Sequence, residues 1–208
     1  MKIHQFTTKE DWLNFRKGKI SGTRLKDIIV KRGTGQKKGY YELIAERLAV
    51  TEETSDGYIP NETPMDRGTR LQKFAIERFR QETGKRVDES LIIWSSDDNN
   101  DITISPDGVI SKTEALEVKC LSSASHIEAY LKNEVPDEYK DQGIQYFIVN
   151  EKLKKLYFVF YDPRIPAKDY FTIEIKREDI EEQIKLYKEF QVKTITEINE
   201  IVNKLLNF

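Results

Sequence analysis

Short strand-like segments occupy the middle of this 208-residue sequence, and helical patterns lie on both sides of them. Each segment is rich in β-branched, aromatic or alternating apolar residues and is bounded by turn-forming residues. A chain that mixes strands and helices in this order predicts an α/β fold, with a mixed β-sheet flanked by helices. The predicted strands are Ser90–Trp94, Ile102–Ser105, Gly108–Ile110, Ala115–Cys120, Leu156–Tyr161 and Tyr170–Ile175.

The helices are predicted from apolar residues at helical spacing and from capping residues at their ends. Residues 7–10 offer a capping box for a first helix that ends before Gly18, and Ser21 or Thr23 can cap a second. Further helices are predicted over Tyr40–Leu48, Pro64–Thr83, His126–Leu131, Glu138–Val149 and Arg177–Phe208, with a basic loop over Lys31–Gly39. The expected core residues are Leu71, Phe74, Ala75, Ile76 and Phe79 in the 64–83 helix, and Ile180, Ile184, Tyr187, Ile195, Ile198, Val202 and Leu205 in the last helix.

Length and composition favour one globular domain. Domains usually have roughly 100–200 residues, and 38% hydrophobic residues are enough for a core. We expect residues 1–60 to form N-terminal helices and a basic loop, residues 61–176 the core, and residues 177–208 a C-terminal helix. No apolar run is long enough to span a membrane and no secretory signal opens the chain, so a cytoplasmic protein is expected.

The charge of the chain is distributed unevenly. Although 34 basic and 36 acidic residues nearly cancel, the segment from Arg16 to Tyr41 holds nine basic residues and one acidic residue. A basic segment on an acidic remainder is typical of a protein that contacts phosphates at one place. The same segment also fits a solvated helix face with a flexible loop, and charge alone leaves both interpretations open.

The motif that points to chemistry is Pro106-Asp107-Gly108, followed by Glu117 and Lys119. Pro-Asp-Gly favours a turn between two strands, and strand alternation places Glu117 and Lys119 on one face of the second strand. If the two strands pair, Asp107 and Glu117 converge, and a divalent cation such as Mg²⁺ would relieve their repulsion. The lysine can then assist phosphodiester hydrolysis. A plain hairpin turn with a solvated edge strand fits the same short pattern.

Several further motifs occur in an order that is far more specific than any one of them. They are the segment 12–23, Arg67-Gly68-Thr69, Ser105-Pro106-Asp107-Gly108, Leu116-Glu117-Val118-Lys119-Cys120, Tyr139-Lys140-Asp141-Gln142 and the segment 157–164. In these motifs the chain resembles the lambda-type phage exonucleases, the YqaJ-like viral recombinase branch of the PD-(D/E)XK nucleases. The resemblance covers nearly the whole chain and implies a restriction-endonuclease-like core with a long C-terminal helix.

The resemblance also implies roles for individual residues. Asp107, Glu117 and the Val118 carbonyl would bind Mg²⁺ or Mn²⁺, two ions per active site; Lys119 would be the catalytic lysine, and Gln142 would contact the substrate or a ligated water. Arg16 and Thr23 would hold the 5′-phosphate of the DNA end, and an arginine beside a hydroxyl at a helix N-terminus suits an anion. The expected DNA contacts are Arg16, Ser21, Thr23, Lys37, Lys38 and His126.

Gln142 also fits an ordinary exposed helix glutamine, and Arg16 also fits one more cation of the basic segment. Three further positions need an interpretation of their own. Gln72 stands where the family has a glutamate that assists metal binding, which puts the affinity of the second ion in question; Glu77 lies over a turn further along. His126 either contacts DNA or is a half-buried histidine at a helix start. Cys120 alternates toward the core, so we interpret it as a buried apolar residue and not as a nucleophile.

The activity implied by the resemblance is Mg²⁺-dependent 5′→3′ exonuclease digestion of double-stranded DNA. The product would be 3′ single strands for a phage single-strand annealing protein. The resemblance further implies a ring-shaped homotrimer, encoded by a phage or prophage, in a bacterial cytoplasm and without a membrane partner. Two alternatives remain open: an endonuclease of the same fold, of restriction or repair type, and a metal-impaired DNA-end-binding accessory protein.

Overall fold

The computed structural model describes residues 1–16, 22 and 62–206. Seven strands and five α-helices have their bounds within these residues. The predicted loop 31–39, the predicted helix 40–48 and the candidate residues Ser21, Thr23, Lys37 and Lys38 lie outside the described residues.

The first sheet is antiparallel and three-stranded, in the order β1 (Lys2–Gln5), β2 (Ile92–Ser95) and β3 (Thr103–Ile104). Strand β1 pairs with β2 along its whole length, so that Ile3 lies opposite Trp94. Strand β1 was not predicted from the sequence, because it has no alternation of buried apolar and exposed polar residues: Lys2, Ile3 and Gln5 are all exposed. This segment is a strand because it pairs with β2, about 90 residues further along the chain, and not because of a local sequence pattern.

The second sheet is mixed and four-stranded, in the order β4 (Gly108–Ser111), β5 (Glu114–Lys119), β6 (Lys155–Tyr161) and β7 (Tyr170–Lys176). Strands β5 and β6 are parallel, and the other two pairs are antiparallel. A parallel pair requires a crossover connection, which contains the helices α3 (Ser123–Lys132) and α4 (Asp137–Val149). The prediction of a mixed sheet flanked by helices is therefore confirmed.

The remaining helices are α1 (Lys9–Arg16), α2 (Pro64–Thr83) and α5 (Glu181–Leu206). Helix α2 begins after Thr63, whose side chain accepts a hydrogen bond from the Asp66 N–H at 3.2 Å. It ends at Gly84, which has a φ of 67° and so adopts the left-handed conformation that glycine tolerates. Local capping residues thus set both ends of the helix that packs beside the second sheet.

The two faces of the second sheet pack against different helices. Leu116 and Val118 of β5 lie in a buried cluster with Ala75, Ile76 and Phe79 of α2. The alternate residues of the sheet, with Phe158 among them, join a larger core that includes residues of α4 and α5. Because side chains alternate along a strand, Glu117 points to the α4 face.

Two predicted core faces are wrong in part. Phe74 is 46% exposed, because Ala75, Ile76 and Phe79, and not Phe74, form the face of α2 that packs on the sheet. The last helix begins at Glu181, after a short 3-10 turn at Arg177–Asp179, and its buried side chains extend only as far as Ile195. Its buried residues are Ile184, Tyr187, Gln191 and Ile195, whereas Ile198, Val202 and Leu205 are exposed.

No helix among the described residues is both long enough and apolar enough to cross a membrane.

Candidate active site

The turn before β4 and the strand β5 bring Asp107 and Glu117 together. The Val118 N–H, between Glu117 and Lys119, donates to Asp107 Oδ2 at 2.8 Å. Gly108 allows the turn to lie close to Val87, because a Cβ atom at that position would lie 2.5 Å from Val87 Cγ1. The predicted convergence of the two carboxylates is thereby confirmed.

Glu117 is the centre of a hydrogen-bonded group on the α4 side of the sheet. Glu117 is 4% exposed, and Lys119 Nζ donates to Glu117 Oε1 and to Gln142 Oε1, each at 2.8 Å. Gln142 Nε2 donates to Glu117 Oε1 as well. The structure therefore brings Asp107, Glu117, Lys119 and Gln142 into one site.

Helix α4 contributes two tyrosines to the same site. Lys119 Nζ lies 4.4 Å from the centroid of the Tyr139 ring, a distance typical of a cation–π contact. Tyr146 is fully buried, and its hydroxyl donates a short hydrogen bond to Glu117 Oε2. Tyr146 was not predicted from the sequence as a site residue. Its position four residues after Gln142 places it on the same helix face, which is the signal that could have identified it.

The two carboxylates repel each other in this enclosed position. Partial burial, and then the negative charge of Glu117, raise the pKa of Asp107 to about 8, against the opposing effects of the Val118 N–H, Lys119 and Arg16. Burial and the charge of Glu117 also raise the pKa of Tyr146 well above its ordinary value, so its hydroxyl remains a neutral donor. A site with this electrostatic character favours a bound cation.

The donor set fits Mg²⁺ or Mn²⁺. Asp107 and Glu117 offer hard carboxylate oxygens, and Mg²⁺ is usually bound by one or two carboxylates together with waters and phosphate oxygens. Among the residues that the structure describes, no group of three or more His, Cys, Asp or Glu side chains forms a metal cluster. Asp107 and Glu117 thus offer ligands for a sparsely coordinated hard cation.

The N-terminal part of the chain also reaches this site. Arg16 ends α1, is half-buried and stacks over the Trp12 ring at 4.4 Å. Its charge acts on Asp107. Gly22 packs directly against the site, because a Cβ atom there would lie 2.8 Å from Gln142 Cγ. Residues on both sides of the undescribed segment 17–21 therefore lie near the carboxylates.

Gln72 of α2 also contacts the site. Its Nε2 donates to Asp107 Oδ1 at 3.2 Å, so the amide acts as a hydrogen-bond donor to a proposed metal ligand. Glu77 is exposed, and its carboxylate lies 3.6 Å from Arg80.

The expectation that His126 contacts DNA is wrong for this structure. The side chain is fully buried, its Nε2 is 2.8 Å from the Lys168 carbonyl, and its ring packs on Phe171. Burial lowers the pKa of His126, which favours the neutral ring. Burial also raises the pKa of the Cys120 thiol to about 12, as expected for an unreactive residue.

A second buried group, for which the sequence analysis proposed no function, holds the end of β5. Asp162 is fully buried and accepts hydrogen bonds from Arg67 at 3.0 Å, Arg164 at 2.8 Å and Ser123 at 2.7 Å. Both arginines also donate to the Leu121 carbonyl. These bonds tie the chain immediately after Lys119 to α2 and to the end of β6.

Both a family model and a solved structure match most of this chain. A family model described as the YqaJ-like viral recombinase domain matches residues 11–152. The structure is similar to that of an alkaline exonuclease, LHK-Exo, from Laribacter hongkongensis, with a TM-score of 0.70 and 28% sequence identity. The match covers 96% of this chain and 99% of that chain. A complex of LHK-Exo with dAMP matches equally well, with the same TM-score of 0.70, identity of 28% and coverage. No curated protein matches this chain. The restriction-endonuclease-like fold expected from the sequence is confirmed.

Proposed function

The chain belongs to the YqaJ-like viral recombinase family, and we propose that it is a metal-dependent exonuclease that digests the 5′-ended strand of double-stranded DNA in the 5′→3′ direction. The observation that carries the proposal is the group of Asp107, Glu117, Lys119 and Gln142 around one buried position. The likeness to an alkaline exonuclease over nearly the full length of both chains supports it.

In this proposal Asp107, Glu117 and the Val118 carbonyl hold Mg²⁺, or Mn²⁺ in its place. The ion, when bound, supplies Lewis acidity at the scissile phosphate. The residues of the chain hold these ligands in position: the Val118 N–H fixes Asp107, while Tyr146 and Gln142 fix Glu117. Such outer hydrogen bonds orient ligands before the ion arrives.

Lys119 is the proposed catalytic group beside the ligands. Its ammonium is held by two oxygens at 2.8 Å and by the Tyr139 ring, so little freedom is left to the side chain. From this position Nζ can donate a hydrogen bond to a phosphate oxygen or orient an attacking water. We propose that Gln142 contacts the same water or the substrate.

The proposed 5′→3′ direction of digestion depends on the N-terminal segment. Arg16, Ser21 and Thr23 would bind the 5′-phosphate, with Lys37 and Lys38 on the adjacent duplex. Arg16 lies close enough to act on Asp107, and Gly22 packs against Gln142. A phosphate held by this segment would therefore place the first linkage of the strand near the carboxylates.

The proposed biological setting follows the family. The enzyme would produce 3′ single strands for a phage single-strand annealing protein, in the cytoplasm of a bacterial host. We also propose a ring-shaped homotrimer around the DNA.

The test is digestion of a linear duplex with 5′-phosphate or 5′-hydroxyl ends, with a closed circle as control, in Mg²⁺, in Mn²⁺ and in EDTA. We expect metal-dependent loss of 5′-phosphorylated strands and an intact circle. Arg16→Ala should reduce the preference for 5′-phosphate ends. Cleavage of the circle would instead identify an endonuclease, and binding of ends without any cleavage would identify an accessory protein.

Matched variants test the catalytic group. Lys119→Ala and Glu117→Gln should nearly abolish digestion while the far-ultraviolet circular dichroism spectrum remains native. Glu114→Gln makes the same change on the same strand, but Glu114 pairs with Lys85 at 2.6 Å, outside the site, so this variant should keep its activity. Metal-dependent digestion by Lys119→Ala at the wild-type rate would exclude the proposed mechanism.

A further inference from the structure

The Asp162 cluster, which consists of Asp162, Arg67 and Arg164, lies where β5 ends and the chain continues toward α3. We propose that the two arginines of this cluster are positioning residues for Lys119: they fix the backbone that follows Lys119 and so hold its ammonium in place for the reaction. The inference rests on the proposed function, in which Lys119 is the catalytic group. It gives that function two residues that lie outside the carboxylate site.

The first step is that the pairing of β5 with β6 ends at Lys119. This residue is the last of β5, and it lies opposite Phe160 at the end of the register that the two strands share. Two residues further on, the Leu121 carbonyl accepts hydrogen bonds from Arg67 at 3.3 Å and from Arg164 at 3.1 Å. The guanidinium groups therefore hold the chain just beyond the point where strand pairing stops.

The second step is that one buried carboxylate orients both guanidinium groups. Asp162 is fully buried, and its Oδ1 accepts from Arg67 Nη2 at 3.0 Å and from Arg164 Nε at 2.8 Å. Its Oδ2 accepts from the Ser123 hydroxyl at 2.7 Å. Burial acts to raise the pKa of Asp162, but the hydrogen bonds and positive charges of its partners outweigh burial and lower that pKa, so the group stays ionised. Hydrogen bonds between charged groups are the strong ones, which makes the cluster a firm support.

The third step is that Lys119 needs a well-placed backbone. Its Nζ meets Glu117 Oε1 and Gln142 Oε1 at 2.8 Å each. Arg67 belongs to α2 and Arg164 follows β6, so the cluster fixes the end of β5 against two other elements of the fold. Movement of the chain after Lys119 would displace the ammonium, and a displacement of about 1 Å at a catalytic group can cost about 100-fold in rate.

The experiment replaces each arginine by lysine, which keeps the charge but lacks the fork that bonds a carboxylate and a carbonyl at the same time. Single-turnover digestion of a 5′-phosphorylated linear duplex in saturating Mg²⁺ gives the rate constant. Binding of the same duplex in Ca²⁺ gives the DNA affinity. We expect Arg67→Lys and Arg164→Lys each to lower the rate constant by about 10- to 100-fold, while the DNA affinity stays that of the wild type.

Arg80→Lys is the matched control. Arg80 lies on the same helix as Arg67, towards its other end, and it makes the same two kinds of contact. It donates to the Val87 carbonyl at 2.9 Å and to the carboxylate of Glu89. This variant should lose stability in urea unfolding and keep the wild-type rate constant, because its contacts do not hold the end of β5.

The outcomes separate this inference from the proposed function. Wild-type rate constants in both folded arginine variants would overturn the inference and leave the nuclease function intact. So would a loss of DNA affinity at an unchanged rate constant, which would make the arginines DNA contacts, or an equal fall in rate for Arg80→Lys, which would reduce the effect to general destabilisation. Absence of metal-dependent digestion by the wild type would contradict the proposed function itself. If circular dichroism shows that one arginine variant does not fold, the other variant decides.

Discussion

The hydroxyl of Tyr146 provides a test of how this fold positions a metal ligand. Tyr146→Phe deletes one oxygen atom and keeps the ring that packs edge-on against Trp94 at 6.1 Å. It removes the hydrogen bond that the buried hydroxyl donates to Glu117 Oε2. The perturbation therefore acts on the orientation of Glu117 with little change in packing.

The expected loss of stability follows from the burial of both Tyr146 and Glu117. A hydrogen bond to a charged group contributes about 1.5–3 kcal/mol, so the free energy of unfolding should fall by about this amount. Loss of a hydrogen bond that orients a metal ligand typically costs about 10- to 100-fold in metal affinity. Tyr146→Phe should thus need about 10- to 100-fold more Mg²⁺ for the same thermal stabilisation.

The assay is urea unfolding without metal, followed by the melting temperature as a function of Mg²⁺ concentration. Tyr187→Phe is the control, because Tyr187 is buried and its hydroxyl donates to a carboxylate, Asp141 Oδ1 at 3.1 Å, through a helix contact outside the site. It should lose stability and keep the wild-type Mg²⁺ response. If Tyr146→Phe also loses stability and keeps that response, the hydroxyl does not orient the ligand.

Two further results are expected. Because burial and Glu117 raise the pKa of Asp107 to about 8, the folded metal-free protein keeps a proton that the unfolded chain loses near pH 4. The stability contributed by Asp107 should then fall from about pH 4 to about pH 8, while Mg²⁺ affinity rises over the same range. Urea unfolding and Mg²⁺ titration across this range measure both trends, and Asp107→Asn should abolish them. Asp162→Asn should lower the free energy of unfolding by about 3–5 kcal/mol, because Arg67 and Arg164 would lose their buried partner; urea unfolding checks the loss, and a change below about 1 kcal/mol would contradict it.

Much of the second sheet and its helices could be predicted from the sequence. Helix α2 has its cap at Thr63, its stop at Gly84 and an apolar face between them, all of which are local signals. The alternation of β5 likewise places Glu117 and Lys119 on one face, as the 2.8 Å bond between them confirms. Strand β1 could not be predicted in this way, since it depends on pairing with a strand far along the chain.

It was harder to predict from the sequence whether a side chain lies in the site or in the core. Tyr146 stands in an apolar stretch of α4, where a tyrosine is typical of a core, and only its position above Glu117 makes it part of the site. The prediction for His126 was wrong in the opposite sense, since a residue expected at the site proved to be a core residue. A histidine near a catalytic motif suggests a contact with DNA, but the ring of His126 lies fully buried against Phe171.

The sequence by itself determined the types of residue in the site and the order of the elements that carry them. Turn chemistry, strand alternation and helix caps act over a few residues, so the positions of Asp107, Glu117 and Lys119 follow from local pattern. The tertiary structure decided how the neighbouring side chains contact these carboxylates: Gln72 of α2 donates to Asp107, and Tyr146 of α4 donates to Glu117. These contacts depend on how helices from distant parts of the chain pack on the two faces of one sheet. A local sequence pattern does not specify that packing.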